Sequence, residues 1–404
     1  MRLLALALPL LATGCLATVS DGPETDAGAA VDAGGGGVDA GPAPLPDAGP
    51  SQPQDGGVTP PRPVWVTAYS AGWMAPTLPV AEVDFTAVSH LAHFSYLPKP
   101  DGTLDTTSLG LSPSRSREMT AAAHAAGRKA LLVVGGAWSR DGFRAAMAPG
   151  RVDAFVAEVV EAVVSLGYDG VDLDMEPVKD EDAPLFVPFV QKLRVALDAA
   201  VPGALLTAAV DWNTASYGPV LQHFDQLNLM TYDLAGAWPG WETWHNTALH
   251  TAGHTFGSTG QPMPSLETVV ARAVAGGAPR HKLGVGISFY VYAWTGANGP
   301  NQPLEGVTVE MNKPWSWMMD TLYTPSARRW HAGVEAPYLS LGSGSTGTFV
   351  SYDDAESIAK KLAWVRAEGL GGVILWELGG GYRPAAPAGQ RDPLLQAVKA
   401  AAFP

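Results

Sequence analysis

Short apolar runs alternate with longer helical patterns along the chain, and this alternation limits its possible folds more than any other feature. Eight runs, each bounded by glycine or polar residues, have the length and composition of buried strands. They are residues 64–69, 91–96, 130–134, 170–176, 205–210, 226–232, 283–290 and 372–378. Strands separated by helices pair in parallel, so the pattern predicts an α/β fold, and eight units predict a (β/α)8 TIM barrel. A doubly wound open sheet is the alternative, but it rarely needs eight such units.

Helical patterns fill several of the intervals between these runs. Residues 152–166 have apolar residues at helical spacing and stop at Gly167, while Asp392 and Pro393 begin a last helix that extends through Ala402. Similar patterns cover residues 117–126, 186–197 and 355–367. Residues 294–350 fit no single helix, because they are rich in Trp, Pro and Gly. We therefore predict an insertion there, between the seventh and eighth strands.

The fourth predicted strand, residues 170–176, carries a row of acids. Asp172, Asp174 and Glu176 alternate with apolar residues, so the three carboxylates share one face of the strand. Such a row is costly unless protons are shared or pKa values separate, which is an arrangement that proton-transfer catalysis uses. Pro177 ends the strand, so we expect Glu176 at the barrel mouth, Asp174 one layer down and Asp172 deeper.

Other strands also end in aromatic or acidic residues, and active sites of such barrels lie at these carboxyl ends. The residues are Tyr69, Tyr96, Tyr232 with Asp233, Tyr290, and Trp376 with Glu377. An acidic cup with aromatic walls suits a neutral, hydroxyl-rich ligand that stacks on flat rings, such as a sugar. The formal net charge of −14 argues against a nucleic acid held through its phosphates.

Three histidines, His245, His250 and His254, are close together in the sequence and are candidate metal ligands. Gly253 and the lack of a helical apolar pattern argue against a rigid ligand helix. The glycine pairs and triplets at 135–136 and 379–381 lack the spacing and the lysine of a phosphate-binding loop. We expect neither a metal nor a cofactor.

The N-terminus has the features of a targeting segment. Arg2 precedes an apolar run, residues 3–11, that is much shorter than the roughly 20 residues needed to span a bilayer. Gly14 and Cys15 follow, and a small residue before cysteine is similar to a bacterial lipoprotein signal. We predict a signal peptide at residues 1–14 and lipid attachment at Cys15. An ordinary signal peptide with an incidental cysteine is the alternative.

Residues 15–62 form a low-complexity segment with recurring Asp-Ala-Gly, no aromatic residue and no basic residue before Arg62. Such a segment cannot bury enough apolar surface to fold, so we predict a disordered linker. The folded domain is predicted at residues 63–404. With lipid attachment, this organisation predicts a secreted or cell-surface protein tethered to a bacterial outer membrane only through its anchor.

The pattern Asp169-Gly170-x-Asp172-x-Asp174-x-Glu176 matches the signature of family 18 glycoside hydrolases, the chitinases and their relatives. Further motifs match at corresponding barrel positions over nearly the whole domain. Residues 230–234 resemble the sixth-strand motif, 243–249 the following loop, 351–358 and 369–376 the last helix–strand unit, and Tyr69 with Trp73 the first-strand aromatics.

The resemblance implies retaining, substrate-assisted hydrolysis of chitin, a β-1,4-linked N-acetylglucosamine polymer, or its oligosaccharides. Glu176 would protonate the glycosidic oxygen, and the substrate's acetamido oxygen would attack to form an oxazolinium ion. Asp174 would orient the acetamido N–H, and Asp172 would share a proton with Asp174. Tyr232 would hold the acetamido group near Asp233. Trp376 would be the stacking floor.

The substrate-binding set also includes Tyr69, Met230, Tyr290 and Trp138, and the protein is expected to act as a monomer. The resemblance has departures that put parts of this set in doubt. Val133 replaces a serine of the third-strand motif, so Asp172 is expected to lack a hydrogen bond from that strand. Met175 replaces a common Trp, and Pro177 follows Glu176 directly where an aromatic residue usually intervenes. Residues 288–292 lack the usual arginine.

Three alternatives remain open at this point. One is a surface scaffold or adhesin, which the linker suggests but no sequence repeat supports. An endo-β-N-acetylglucosaminidase acting on glycoprotein or peptidoglycan glycans would use the same machinery. A non-catalytic chitin-binding, lectin-like protein on the same fold typically loses the acid at the position of Glu176, which this chain retains.

Overall fold

The computed structural model describes residues 63–211 and 213–404. The predicted signal peptide, Cys15 and the linker to residue 62 lie outside these residues. The strands are β1 (Trp65–Ala71), β2 (His90–Pro98), β3 (Leu104–Asp105), β4 (Lys129–Gly136), β5 (Gly170–Met175), β6 (Leu205–Val210), β7 (Gln226–Leu229), β8 (Leu283–Ser288), β9 (Tyr290–Thr295), β10 (Thr308–Pro314), β11 (Arg328–His331), β12 (Ala336–Leu341), β13 (Thr348–Ser351) and β14 (Gly372–Trp376).

Eight of these strands form a closed parallel barrel. In order around the barrel they are β1, β2, β4, β5, β6, β7, β8 and β14, and β14 pairs with β1 to close it. The (β/α)8 prediction is confirmed, and the open-sheet alternative is wrong. The short strand β3 pairs antiparallel with the end of β2.

The α-helices are α1 (Pro113–Ala125), α2 (Arg140–Ala146), α3 (Val152–Leu166), α4 (Ala183–Ala200), α5 (Leu266–Ala275), α6 (Trp315–Thr321), α7 (Ala355–Ala367), α8 (Leu378–Gly381) and α9 (Pro393–Ala402). Clear end signals gave α3, α7 and α9 their predicted bounds. Gly167 ends α3 in a left-handed conformation, and the carboxylates of Asp354 and Asp392 accept backbone N–H groups at the starts of α7 and α9. No described helix is both long and apolar enough to cross a membrane.

A second sheet lies in the chain between β8 and β14. Five antiparallel strands form it in the order β10, β9, β13, β12 and β11. It corresponds to the predicted insertion but begins at Tyr290, because the predicted strand 283–290 is divided in two. The backbone of Phe289 makes the division: its N–H donates to the Trp376 carbonyl at 2.7 Å, and its carbonyl accepts the Trp315 N–H at 3.0 Å.

Side-chain alternation along the barrel strands separates two cores. Val171 and Leu173 belong to the larger core between strands and helices, whereas Val133 and Ala209 belong to a smaller cluster that extends from the barrel interior to the second sheet. Asp172 pairs in register with Val133 and therefore faces the barrel interior with it. The fold thus turns the acid row of β5 into the barrel.

Candidate active site

The three acids of β5 lie at increasing depth in the barrel. Glu176 follows the last residue of the strand and is partly exposed, Asp174 is 3% exposed and Asp172 is fully buried. This is the order that the strand pattern predicted. One carboxyl group is therefore accessible from the mouth, with two more beneath it.

Asp172 is held by two hydroxyl groups from neighbouring strands. The Tyr69 hydroxyl on β1 donates to its Oδ2 at 2.8 Å, and the Thr207 hydroxyl on β6 donates to its Oδ1. The Val133 side chain on β4 cannot form a hydrogen bond, as the sequence indicated. The Tyr69 and Thr207 hydroxyls supply the hydrogen bonds to Asp172 instead. Burial raises the pKa of Asp172 to about 6, and its hydrogen bonds oppose that rise. Asp172 can therefore exchange a proton in weakly acidic solution.

Asp174 connects the deep and the exposed carboxyl groups. Its side chain hydrogen-bonds Glu176, and its Oδ1 is buried without a hydrogen-bond partner among the described residues. Burial raises the pKa of Asp174 well above its usual range, and the charges of Glu176, Asp172 and Asp211 raise it further. Asp174 therefore holds a proton readily and has an oxygen available to a ligand's N–H group.

The loop after β4 fixes the end of β5. The Ser139 hydroxyl donates to the Asp174 carbonyl at 3.0 Å and accepts the Glu176 N–H at 3.4 Å. Gly135, with φ of 117°, lies so close that a Cβ there would be 2.0 Å from the Asp174 carbonyl oxygen. Only glycine permits this approach, so the β4 glycine contributes to the placement of both acids.

Aromatic rings line the opposite wall. Trp376, at the end of β14, packs edge-on against Tyr69 at 5.5 Å, Phe94 at 4.7 Å and Trp73 at 6.4 Å between ring centroids. Trp376 is partly buried, and Trp73 is 46% exposed. Rings held in this way offer a rigid, flat platform facing the acid row.

The second sheet completes the site beside β7. The hydroxyls of Tyr290 and Tyr292 on β9 both donate to Asp233 Oδ1 at 2.6 Å, and the Asp233 N–H donates to Asn246 Oδ1 at 2.7 Å. The Tyr232 ring packs edge-on against Tyr290 at 5.9 Å. Burial raises the pKa of Asp233, while its tyrosine partners lower it. Tyr292 occupies the position at which the family pattern has an arginine, and its hydroxyl donates a hydrogen bond to Asp233.

An acid row and an aromatic wall therefore meet at the mouth of a TIM barrel. A family model described as Glycosyl hydrolases family 18 matches residues 68–381, which is more than half of the chain. The chain belongs to this family.

Individual relatives agree with this assignment. Chitinase A1 of Niallia circulans is 30% identical over 289 residues, covering 62% of this chain and 40% of that protein. Among solved structures, catalytic domain 2 of the Ostrinia furnacalis Group II chitinase has a TM-score of 0.72 at 21% identity, covering 84% of this chain and 96% of that one. A family 18 N-acetylglucosaminidase from Paenibacillus barengoltzii has a TM-score of 0.67 at 23% identity, covering 84% and 99%. The chain spans only about 40 to 61% of the length of the first curated relatives that it matches.

Most predicted site residues of this family 18 domain meet at the barrel mouth, but Trp138 and Tyr96 have different surroundings. Trp138 is 58% exposed on the loop after β4, at the rim. Met230 directly follows β7 and packs, half-buried, against the inner cluster that also contains Tyr69, Tyr232 and Tyr290. Tyr96, proposed as a strand-end residue, belongs to the outer core, where its hydroxyl hydrogen-bonds Ser116 at 3.2 Å. Tyr290 begins β9 rather than ending β8, yet its hydroxyl still reaches the site.

Four residues of the site were missed by sequence reasoning: Asp211, Thr207, Phe94 and Tyr292. Asp211 directly follows β6, so the rule that strand ends carry functional residues could have found it. The other three lie inside strands, and no short motif marks them. Their roles depend on contacts with residues distant in sequence.

Of the three candidate metal ligands, His245 and His254 form a chain with His331, and His250 does not belong to it. His331 contacts His245 through Nδ1 at 3.0 Å and His254 through Nε2 at 3.1 Å, whereas His250 pairs with Glu267. Opposite ring nitrogens of His331 cannot converge with both neighbours on one ion. In residues 63–211 and 213–404, no group of three or more His, Cys, Asp or Glu side chains could hold a metal.

Proposed function

We propose that this protein is a chitinase that hydrolyses β-1,4 bonds between N-acetylglucosamine units with retention of configuration. The observation that carries the proposal is the hydrogen bond between Asp174 and Glu176, with the second Asp174 oxygen buried and without a partner among the described residues. That oxygen can accept an acetamido N–H, while Glu176 faces the barrel mouth as a proton donor. All groups assigned to the reaction belong to one chain, which fits a monomer.

The route is substrate-assisted. Glu176 gives its proton to the glycosidic oxygen as the bond to the anomeric carbon breaks, and the acetamido oxygen of the same sugar closes onto that carbon. Asp174 accepts the acetamido N–H and stabilises the positive oxazolinium ring. Water then opens the ring as Glu176 takes back a proton. Asp172, held by Tyr69 and Thr207, exchanges a proton with Asp174 between the two steps.

An endo-β-N-acetylglucosaminidase is the second candidate. Its support is that glycoprotein and peptidoglycan glycans also carry the N-acetyl group on which the acid row is proposed to act. Any such enzyme would use the same three acids. A lectin-like role is disfavoured because Glu176 is present at the mouth.

A product profile tests the proposal. The protein is incubated with chitin, chitosan, peptidoglycan, a high-mannose glycoprotein and cellulose, and the products are identified by mass spectrometry. We expect N-acetylglucosamine oligomers from chitin and nothing from cellulose, which has no acetamido nucleophile. Early products followed by NMR should be β-anomers. Release of glycan from the glycoprotein alone would favour the second candidate, and an initial α-anomer would contradict the substrate-assisted route.

We further propose that residues 1–14 are removed as a signal peptide, that Cys15 is lipidated and that residues 15–62 tether the enzyme to a bacterial outer membrane. The support is the short apolar run ending at Cys15, the only cysteine in the sequence, and the charged low-complexity stretch that follows. A Cys15→Ser variant should move from the membrane fraction to the soluble fraction, as followed by immunoblotting. An unchanged membrane fraction would refute lipidation.

A further inference from the structure

A fourth carboxyl group stands beside the catalytic row. The β5–β6 ladder pairs Asp172 with Thr207, and continuing that register places Asp211 level with Glu176 on the next strand. Adjacent strands are about 4.8 Å apart. Thr207 lies on β6, and Asp211 directly follows that strand at a position of the same parity. Because the Thr207 hydroxyl contacts Asp172, the alternation places Asp211 toward the barrel interior as well.

A backbone N–H group anchors one oxygen of the Asp211 carboxylate. Its Oδ1 accepts the Asn213 N–H at 2.8 Å. Burial raises the pKa of Asp211 to about 6, so the group is mostly ionised at neutral pH. The negative charge of Asp211 raises the pKa of Asp174 and of Tyr217. Asp211 therefore lies close enough to the catalytic acids to interact with them electrostatically.

The site contains several acids and no matching cation. In the described part of the chain, no Lys, Arg or His forms an ion pair with Asp172, Asp174 or Asp211. The buried Asp174 Oδ1 also has no hydrogen-bond partner among the described residues. Buried polar atoms are normally hydrogen-bonded, so we expect a bound ligand to supply the donor. A ligand with both a neutral N–H and a positive charge would satisfy these groups best.

We propose that Asp211 is a specificity-determining residue that favours substrates with a free amino group, namely glucosamine units of partly N-deacetylated chitin. The inference rests on the proposed function and deepens it. The sugar that supplies the nucleophile must keep its acetyl group, so the ammonium belongs to a neighbouring sugar. An ammonium forms a charge-assisted hydrogen bond with a carboxylate, which is stronger than a bond between neutral groups.

The test compares two substrates on one enzyme. kcat/KM is measured for fully acetylated oligomers and for oligomers of equal length with one glucosamine unit beside the cleaved bond. We expect the wild type to prefer the partly deacetylated oligomer, and Asp211→Asn to lose that preference by about tenfold, as for one charged hydrogen bond. Asparagine keeps an oxygen for the Asn213 N–H, so the fold is expected to persist. Asp153→Asn, on an outer helix with a 79% exposed side chain, is the matched control.

The ratio of the two kcat/KM values measures the effect of Asp211 on substrate preference. Any indirect effect of the substitution through Asp174, Glu176 or Tyr217 would change both kcat/KM values equally and would cancel in the ratio. The preference should weaken as the pH falls below about 6, where Asp211 gains a proton. It should also weaken as salt concentration rises.

Dissociation constants measured by calorimetry in the Glu176→Gln background give the same ratio without turnover. If the wild type cleaves neither oligomer but binds the glucosamine-containing one more tightly, the proposed function fails and the inference stands. Equal loss on both substrates in Asp211→Asn, or no wild-type preference in either assay, would overturn the inference.

Discussion

Glu176→Gln is expected to lower kcat on N-acetylglucosamine oligomers by a factor of roughly 100 to 10,000. Glutamine has nearly the same shape as glutamate and can still hydrogen-bond Asp174, but its amide carries no proton that the glycosidic oxygen could take. Because Glu176 is partly exposed just beyond β5, the substitution leaves no buried group unpaired. The loss should therefore appear in catalysis rather than in folding or binding.

Initial rates give kcat, and calorimetry with an uncleaved oligomer gives Kd, which should change by less than about threefold. Glu181→Gln is a matched control because Glu181 lies five residues further on with a 64% exposed side chain, paired with Arg140 outside the site. That variant should keep wild-type rates. Turnover by Glu176→Gln above about a tenth of wild type would remove Glu176 from the role of acid.

The row on β5 was predictable because it depends on one strand alone. Alternation set the shared face of Asp172, Asp174 and Glu176, and Pro177 indicated which end was the mouth. The partners of the row were not predictable in the same way. Tyr69 is 103 residues from Asp172, and their contact exists only because β1 and β5 line the same barrel.

Asp211 is a second residue whose role depends on contacts between strands and not on a local motif. It stands alone in the sequence, and only the register between β5 and β6 places it beside Glu176. The same distinction between local signals and long-range contacts applies to the fold. Local signals defined α3, α7 and α9, whereas the five-stranded order of the second sheet depends on pairings between distant strands such as β9 and β13.

The departures from the family pattern also become interpretable in three dimensions. Met175 is buried in the outer core, so the aromatic residue that it replaces would have faced the helices and not the substrate. Tyr292 donates to Asp233, which links the second sheet to the site. The departures therefore change how the catalytic groups are supported and leave the acids in place.

A buried ion pair holds together helix α7, the segment that joins it to the second sheet and the loop after β7. The Lys361 ammonium on α7 contacts both oxygens of Asp353 at 2.7 Å and the Thr247 hydroxyl, and both charged side chains are at most 1% exposed. Burial lowers the pKa of Lys361, while the charge of Asp353 raises it. Thr247 adjoins Asn246, whose side-chain oxygen accepts the Asp233 N–H. The Lys361–Asp353 pair therefore helps to position the loop that contacts Asp233.

Lys361→Met should reduce the free energy of unfolding by about 3–5 kcal/mol, because it leaves the Asp353 carboxylate buried without its cation. Urea denaturation measures the change. Lys360→Met is the matched control: the neighbouring lysine pairs with Glu335 at the surface, with a 48% exposed side chain, and its removal should not be measurable. The double variant Lys361→Met with Asp353→Asn removes both charges and should recover part of the loss, since the cost arises from an unpaired buried charge and not from the absence of an attraction. Equal losses at positions 360 and 361 would mean that Asp353 is solvated in solution and that the pair does not hold these three elements together.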